Sequence, residues 1–132
     1  MIRGRGVLVV EDDADLVALL ELVLQDAGYP VRTAGEGRTA LSRVAEEMPG
    51  VILLDMRMPV MNGWEFAHEF RARYGRACPI VVVTAAENAR ARAEEIGADD
   101  WLAKPFELQD VLDTVARQLA RHSESDLPPS SP

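Results

Sequence analysis

Three runs in this chain, Val7–Val10, Val51–Leu54 and Ile80–Val83, are short, unbroken and wholly apolar. A strand with one face in water alternates apolar and polar residues, so an unbroken apolar run fits a strand covered on both faces. Helix-length segments separate the runs, and parallel strands require connections of that kind. Tyr29–Ala34 is a more polar strand candidate carrying Pro30, which cannot donate to a sheet ladder and therefore suits an edge. Trp101–Ala103 supplies a short fifth strand.

The intervening segments carry helical periodicity. Leu16, Leu20, Val23, Leu24 and Ala27 share one face of a first helix, with Asp13 as its N-cap and Gly28 closing it. Thr39–Met48 reads as a second helix, stopped by Pro49-Gly50. Trp64–Tyr74 reads as a third, with Phe66 and Phe70 inward. A fourth, Ala86–Ile96, is rich in alanine and charge and has little apolar surface to bury. A fifth spaces Leu108, Val111, Leu112, Val115 and Leu119 along one face. Strand and helix alternate throughout, which defines an α/β class: a doubly wound parallel sheet with right-handed crossovers and helices on both faces.

With 132 residues, the chain has the length of one domain with one sizeable core. The expected globular unit covers 1–122. The closing SESDLPPSSP, 123–132, has almost nothing to pack and is expected to be a disordered tail or the start of a linker. No apolar run approaches the roughly 20 residues that cross a bilayer, so no membrane partner is expected. The net charge of −8 argues against direct nucleic-acid binding, which needs clustered cations against phosphate. A lone cysteine, Cys78, excludes an internal disulfide and suits a reducing cytoplasm; beside Pro79 and an apolar run it reads as a core residue.

In doubly wound sheets, sites gather at the carboxyl ends of the strands. Glu11, Asp12 and Asp13 follow the first strand, Asp55 ends the third, Thr84 follows the fourth, and Lys104-Pro105 follows the fifth. Each has an ordinary explanation alone: the acids cap a helix, the threonine ends a strand, the lysine is solvated. Their convergence on one edge is what the ordinary explanations leave over. Crowded carboxylates repel and raise one another's pKa, and a divalent cation relieves that repulsion; Mg²⁺ prefers a few carboxylates and several retained waters. A carboxylate beside a metal, a lysine and a threonine is suited to take a phosphoryl group. Asp55 would be the nucleophile, with Mg²⁺ and Lys104 neutralising charge on the phosphoryl oxygens.

The segments VLVVEDD, VILLDMRMPVMNG, PIVVVTA and GADDWLAKPF stand in that order at suitable intervals, and in this the chain resembles the response-regulator receiver domains of two-component signalling from about Gly6 to His122. The resemblance implies a flavodoxin-like fold with strand order 2-1-3-4-5 and phosphorylation of Asp55 by a histidine kinase or histidine phosphotransfer protein. It further implies that Asp12 and Asp55 bind Mg²⁺ directly, that Glu11 acts largely through a metal-bound water, and that the Arg57 carbonyl completes the ligands. Thr84 and Lys104 would hold phosphoryl oxygens, and the Lys104–Pro105 peptide would be cis. Trp101 stands where the family keeps a switch aromatic, usually a smaller Tyr or Phe; its bulk favours one orientation, with the loop moving more than the ring. The side chains of Arg57 and Ala86 would flank the approach of hydrolytic water. The fourth helix, fifth strand and fifth helix would form the face that meets a downstream protein.

Other classes fit less well. Phosphatases resembling the haloacid dehalogenase family place a second Asp two residues after the nucleophile; here Arg57 stands there, and guanidinium stays protonated. A nucleotide- or flavin-binding module would follow its first strand with Gly or Ser, not with three acids. A pseudo-receiver that binds partners without phosphorylation would lack some of the key residues, and all are here. His68 and His122 lie apart from the cluster, so phosphotransfer within this chain is not expected. The resulting expectation is a signalling switch, not a turnover enzyme.

Overall fold

The computed structural model describes residues 6–126. Five parallel strands lie in the order β2-β1-β3-β4-β5: β1 Val7–Val10, β2 Val31–Ala34, β3 Val51–Asp55, β4 Ile80–Ala85 and β5 Asp100–Lys104. Between and after them run α1 Ala14–Asp26, α2 Gly37–Glu46, α3 Gly63–Tyr74, α4 Ala89–Ile96 and α5 Leu108–Asp126. The polar β2 is an edge strand, as its Pro30 suggested; the Pro30 carbonyl accepts from Val7 N at 2.8 Å.

The unbroken apolar runs are explained by two cores, one on each sheet face. Leu8, Val10, Ile52, Leu54, Ile80 and Val82 point toward α2, α3 and α4, where Leu41, Val44, Phe66 and Phe70 meet them. Their strand neighbours Val7, Val9, Val51, Leu53, Val81 and Val83 point the other way, onto Leu20 and Leu24 of α1 and Val111 and Val115 of α5. Phe66 and Phe70 are fully buried, and each side chain of that size contributes about 1.5–3 kcal/mol relative to exposure. Cys78 is buried in the first core, and burial pushes its thiol up to about 12, which fits a packing role.

Several boundaries and faces differ from the sequence reading. Helix α2 begins at Gly37, before the expected Thr39, because the Glu36 carboxylate caps Arg38 N and Thr39 N. Glycine is needed there: a Cβ on residue 37 would lie 2.6 Å from Met61 Cγ. The same helix ends at Glu46, short of the expected Met48, because Glu47 is already extended ahead of Pro49. The expected fourth helix is a 3-10 turn, Ala86–Asn88, followed by α4, which buries only Ala89 and Ala93. Ala27 is exposed at the C-cap of α1, and Gly28 follows at φ 99°. On α5 Leu108 is exposed, whereas polar Thr114 and Gln118 are buried; Gln118 Nε2 donates to Asp100 at 3.1 Å. That helix passes the expected boundary at His122 and reaches Asp126, and the rest of the expected tail, 127–132, lies outside the described residues.

Among the described residues Val60 alone combines a side chain with a positive φ, 65°, and it is 75% exposed. The left-handed region presses a Cβ against the following carbonyl, at about 1–2 kcal/mol per residue. Asn tolerates this conformation, so Val60→Asn should raise the free energy of unfolding in urea by about 1 kcal/mol at constant slope. An unchanged or lower midpoint would contradict a strained Val60.

Candidate functional site

Strand register assembles the site. Val10 pairs with Leu54, so Glu11 and Asp55, each one residue further on, stand side by side at the carboxyl edge. Asp55 pairs with Val83, which puts Thr84 just beyond it on β4, and Ala85 pairs with Lys104. Glu11, Asp55, Thr84, Ala85 and Lys104 line one open cleft of about 780 Å³, together with Asp12, Asp13, Arg57, Glu87, Asn88 and Pro105. Helix α1 starts at its rim because the Asp13 carboxylate accepts from Asp15 N at 3.0 Å and Leu16 N at 3.2 Å.

Carboxylate oxygens of Glu11, Asp12 and Asp55 all lie within 4.8 Å of one another. Two charges at that spacing repel by roughly 3.5 kcal/mol at an effective dielectric of about 20. Glu11 and Asp55 are buried, with 4% and 5% exposure, so water does little to relieve them. What compensates them is local. Lys104 Nζ lies 3.1 Å from Glu11 Oε1 and 3.9 Å from Asp55 Oδ1. The Asp13 amide donates to Glu11 Oε2 at 3.1 Å, and the Arg57 amide donates to Asp55 Oδ1 at 3.2 Å. Burial, then the charge of Glu11, pushes the Asp55 carboxyl up to about 7, against the smaller opposing pull of the Arg57 amide and Lys104.

The structure therefore brings together Glu11, Asp12, Asp55, Arg57, Thr84 and Lys104. Arg57 is exposed, and the Lys104–Pro105 peptide is cis. The side chain of Ala86 lies outside the described residues. Trp101 does not reach the cleft. It is 42% exposed on β5 and borders a separate groove with Phe106, Asp113 and Arg117. His68 is exposed on α3, away from the cleft. Glu87 and Asn88 line the cleft although helical periodicity had absorbed them; their signal is proximity to Thr84, in the turn that precedes α4.

Three hard carboxylates facing one ammonium suit a divalent cation, which fits the donor set preferred by Mg²⁺. Comparison with known proteins agrees with this arrangement. The response regulator receiver domain family matches residues 7–116, and the chain belongs to that family, the receiver domains of two-component systems. A response regulator structure from Chloroflexus aurantiacus is 35% identical, with TM-score 0.83 over 90% of this chain and 100% of that one. Chemotaxis protein CheY4 of Vibrio cholerae is 36% identical, with TM-score 0.77 over 86% of this chain and 97% of its own. The receiver domain of a sensor histidine kinase from Pseudomonas aeruginosa, solved with magnesium coordinated in its active-site cleft, is 30% identical; its TM-score is 0.79 over 89% of this chain and 99% of its own. Receiver domains are signalling switches that interact with histidine kinases and downstream effectors, not classical enzymes.

The raised Asp55 carboxyl has a consequence for stability without metal. Between the unfolded value near 4 and the folded value of about 7, the folded protein holds a proton that the unfolded chain has released. Asp55 therefore favours folding at low pH, and that contribution is lost as pH rises through this window. The wild-type unfolding midpoint should fall relative to Asp55→Asn from about pH 4 to about pH 7, and the variant should be the more stable at about pH 8. Parallel pH profiles for the two proteins would contradict the crowded carboxylate.

Proposed function

We propose that this domain takes a phosphoryl group from a histidine kinase or histidine phosphotransfer protein onto Asp55. The observation that supports it most is the buried Asp55 carboxyl at the floor of an open cleft, within 4.8 Å of two further carboxylates and 3.9 Å from Lys104 Nζ. Asp12, Asp55 and the Arg57 carbonyl would hold Mg²⁺, with Glu11 acting through a water; the ion would supply charge neutralisation for the phosphoryl oxygens.

The protein's own groups then have distinct parts. An Asp55 carboxylate oxygen attacks phosphorus as the bond to the donor imidazole nitrogen breaks, and the departing electron pair stays with the imidazole. Lys104, which rests on Glu11 at 3.1 Å, moves the short distance to a phosphoryl oxygen. The Thr84 hydroxyl donates to another, which draws in the loop that leads to α4. Helix α4 buries only two alanines, so its apolar packing alone holds it weakly. The α4-β5-α5 face, where Trp101 and Leu108 are exposed, is the surface we assign to the downstream partner. Arg57 stands at the cleft's rim and slows the entry of hydrolytic water. The buried Cys78 thiol suits a reducing cytoplasm.

Treatment with a small acyl-phosphate donor and Mg²⁺ should add one base-labile phosphoryl group, seen by intact mass. Asp55→Asn or chelation of the metal should abolish it. Equal labelling of the Asn variant would place the phosphoryl group elsewhere.

A further inference from the structure

Helix α4 is gripped by α3 through a closed triangle of side chains. Trp64, at the start of α3, donates its indole N–H to Glu95 Oε1 at 2.8 Å. Arg92, one turn earlier on α4, donates to the other Glu95 oxygen at 2.7 Å, and its guanidinium lies 5.7 Å from the centroid of the Trp64 ring. Charge-assisted hydrogen bonds and a cation over an indole face are among the stronger polar contacts available to a half-buried surface. The same helix buries only the Ala89 and Ala93 side chains, with Ile96 packing half-buried against the core near its end. At its far end Arg71 of α3 donates to the Gly97 carbonyl at 3.1 Å. At its beginning Asn88 stands at the N-cap position, yet its side chain makes no capping bond. The end near Thr84 thus lacks a side-chain cap, while the other end is tied to α3.

The triangle is not fully satisfied. Arg92 Nε is buried without a hydrogen-bond partner, the one such side-chain atom among the described residues. A buried, unmet donor is unfavourable, so releasing Arg92 to water recovers part of what the triangle contributes. A contact with that internal opposition biases a position without locking it.

We propose that the Trp64–Arg92–Glu95 triangle is a latch that holds α4 in its unphosphorylated position and sets how strongly the switch resists activation. The proposal rests on Asp55 being the phospho-acceptor. A ligand at Asp55 that favours the displaced helix must work against the latch, so weakening the latch tightens that ligand by the same factor.

Two measurements on the full chain test it, using Trp64→Phe, Glu95→Ala and the double variant. Amide hydrogen exchange across Ala89–Ile96, in the unphosphorylated protein, should quicken roughly three- to tenfold in each single variant, while strand amides exchange as in wild type. The double variant should add little beyond either single change, because both break one device. Unchanged exchange in Glu95→Ala, a surface substitution that preserves helix propensity, would overturn the latch whatever happens at Asp55. Titration with beryllofluoride and Mg²⁺ should then show Glu95→Ala binding roughly three- to tenfold more tightly than wild type. Equal or weaker binding would overturn the latch, whereas a wild type that takes no beryllofluoride would overturn the phospho-acceptor reading and leave the exchange result to decide the latch.

Discussion

Three carboxylates share one ammonium at the carboxyl edge of the sheet, and the rest of the structure follows from how that crowding is held. Glu11 and Asp55 cannot drift apart because they extend neighbouring strands in fixed register. Nor can they turn to water, because both are buried. Lys104 is brought from the far edge strand to meet them, and two backbone amides donate to Glu11 Oε2 and Asp55 Oδ1. Such a site is incomplete in charge, so it favours a proton, a metal ion or, with metal present, a chemical change that ties the cations to new oxygens.

The sheet makes that arrangement possible by being apolar elsewhere. Both faces of β1, β3 and β4 are packed under helices, which leaves polar chemistry the strand ends as its place. The elements nearest the cleft differ in how firmly they are fixed. β3 and β4 are buried along almost their whole length, whereas α4 buries two alanines, packs Ile96 partly against the core and otherwise relies on polar contacts to α3. A rigid acceptor beside a lightly held helix is the mechanical requirement for turning a local charge change into movement.

Much of this was legible in the residues. The unbroken runs of β1, β3 and β4 announced strands buried on two sides, Pro30 marked an edge, and the strand-end rule collected Glu11, Asp12, Asp55, Thr84 and Lys104 before any geometry was known. Asp13 read correctly as a cap because Asp favours that role. What escaped was tertiary. Glu36 is an uncommon cap, and Gly37 is an uncommon helix opener that makes sense only once Met61 is seen packed against it. Hydrophobic spacing chose Leu108 for the core and passed over Gln118, whose burial depends on Asp100 across the sheet edge. No periodicity could show that Lys104 rests on Glu11 more closely than on Asp55, or that Trp64 reaches Glu95.

The most direct test of charge crowding as the organising constraint is the unfolding midpoint of the full chain, wild type and Asp12→Asn, with Mg²⁺ and with a monovalent salt of equal ionic strength. Wild type should gain several degrees with Mg²⁺ and little with the monovalent salt, because a bound ion stabilises the folded state by mass action. Asp12→Asn should start above wild type without metal and gain little from it. A wild type indifferent to Mg²⁺, or an Asp12→Asn protein less stable than wild type in its absence, would show that these carboxylates support the fold and do not strain it.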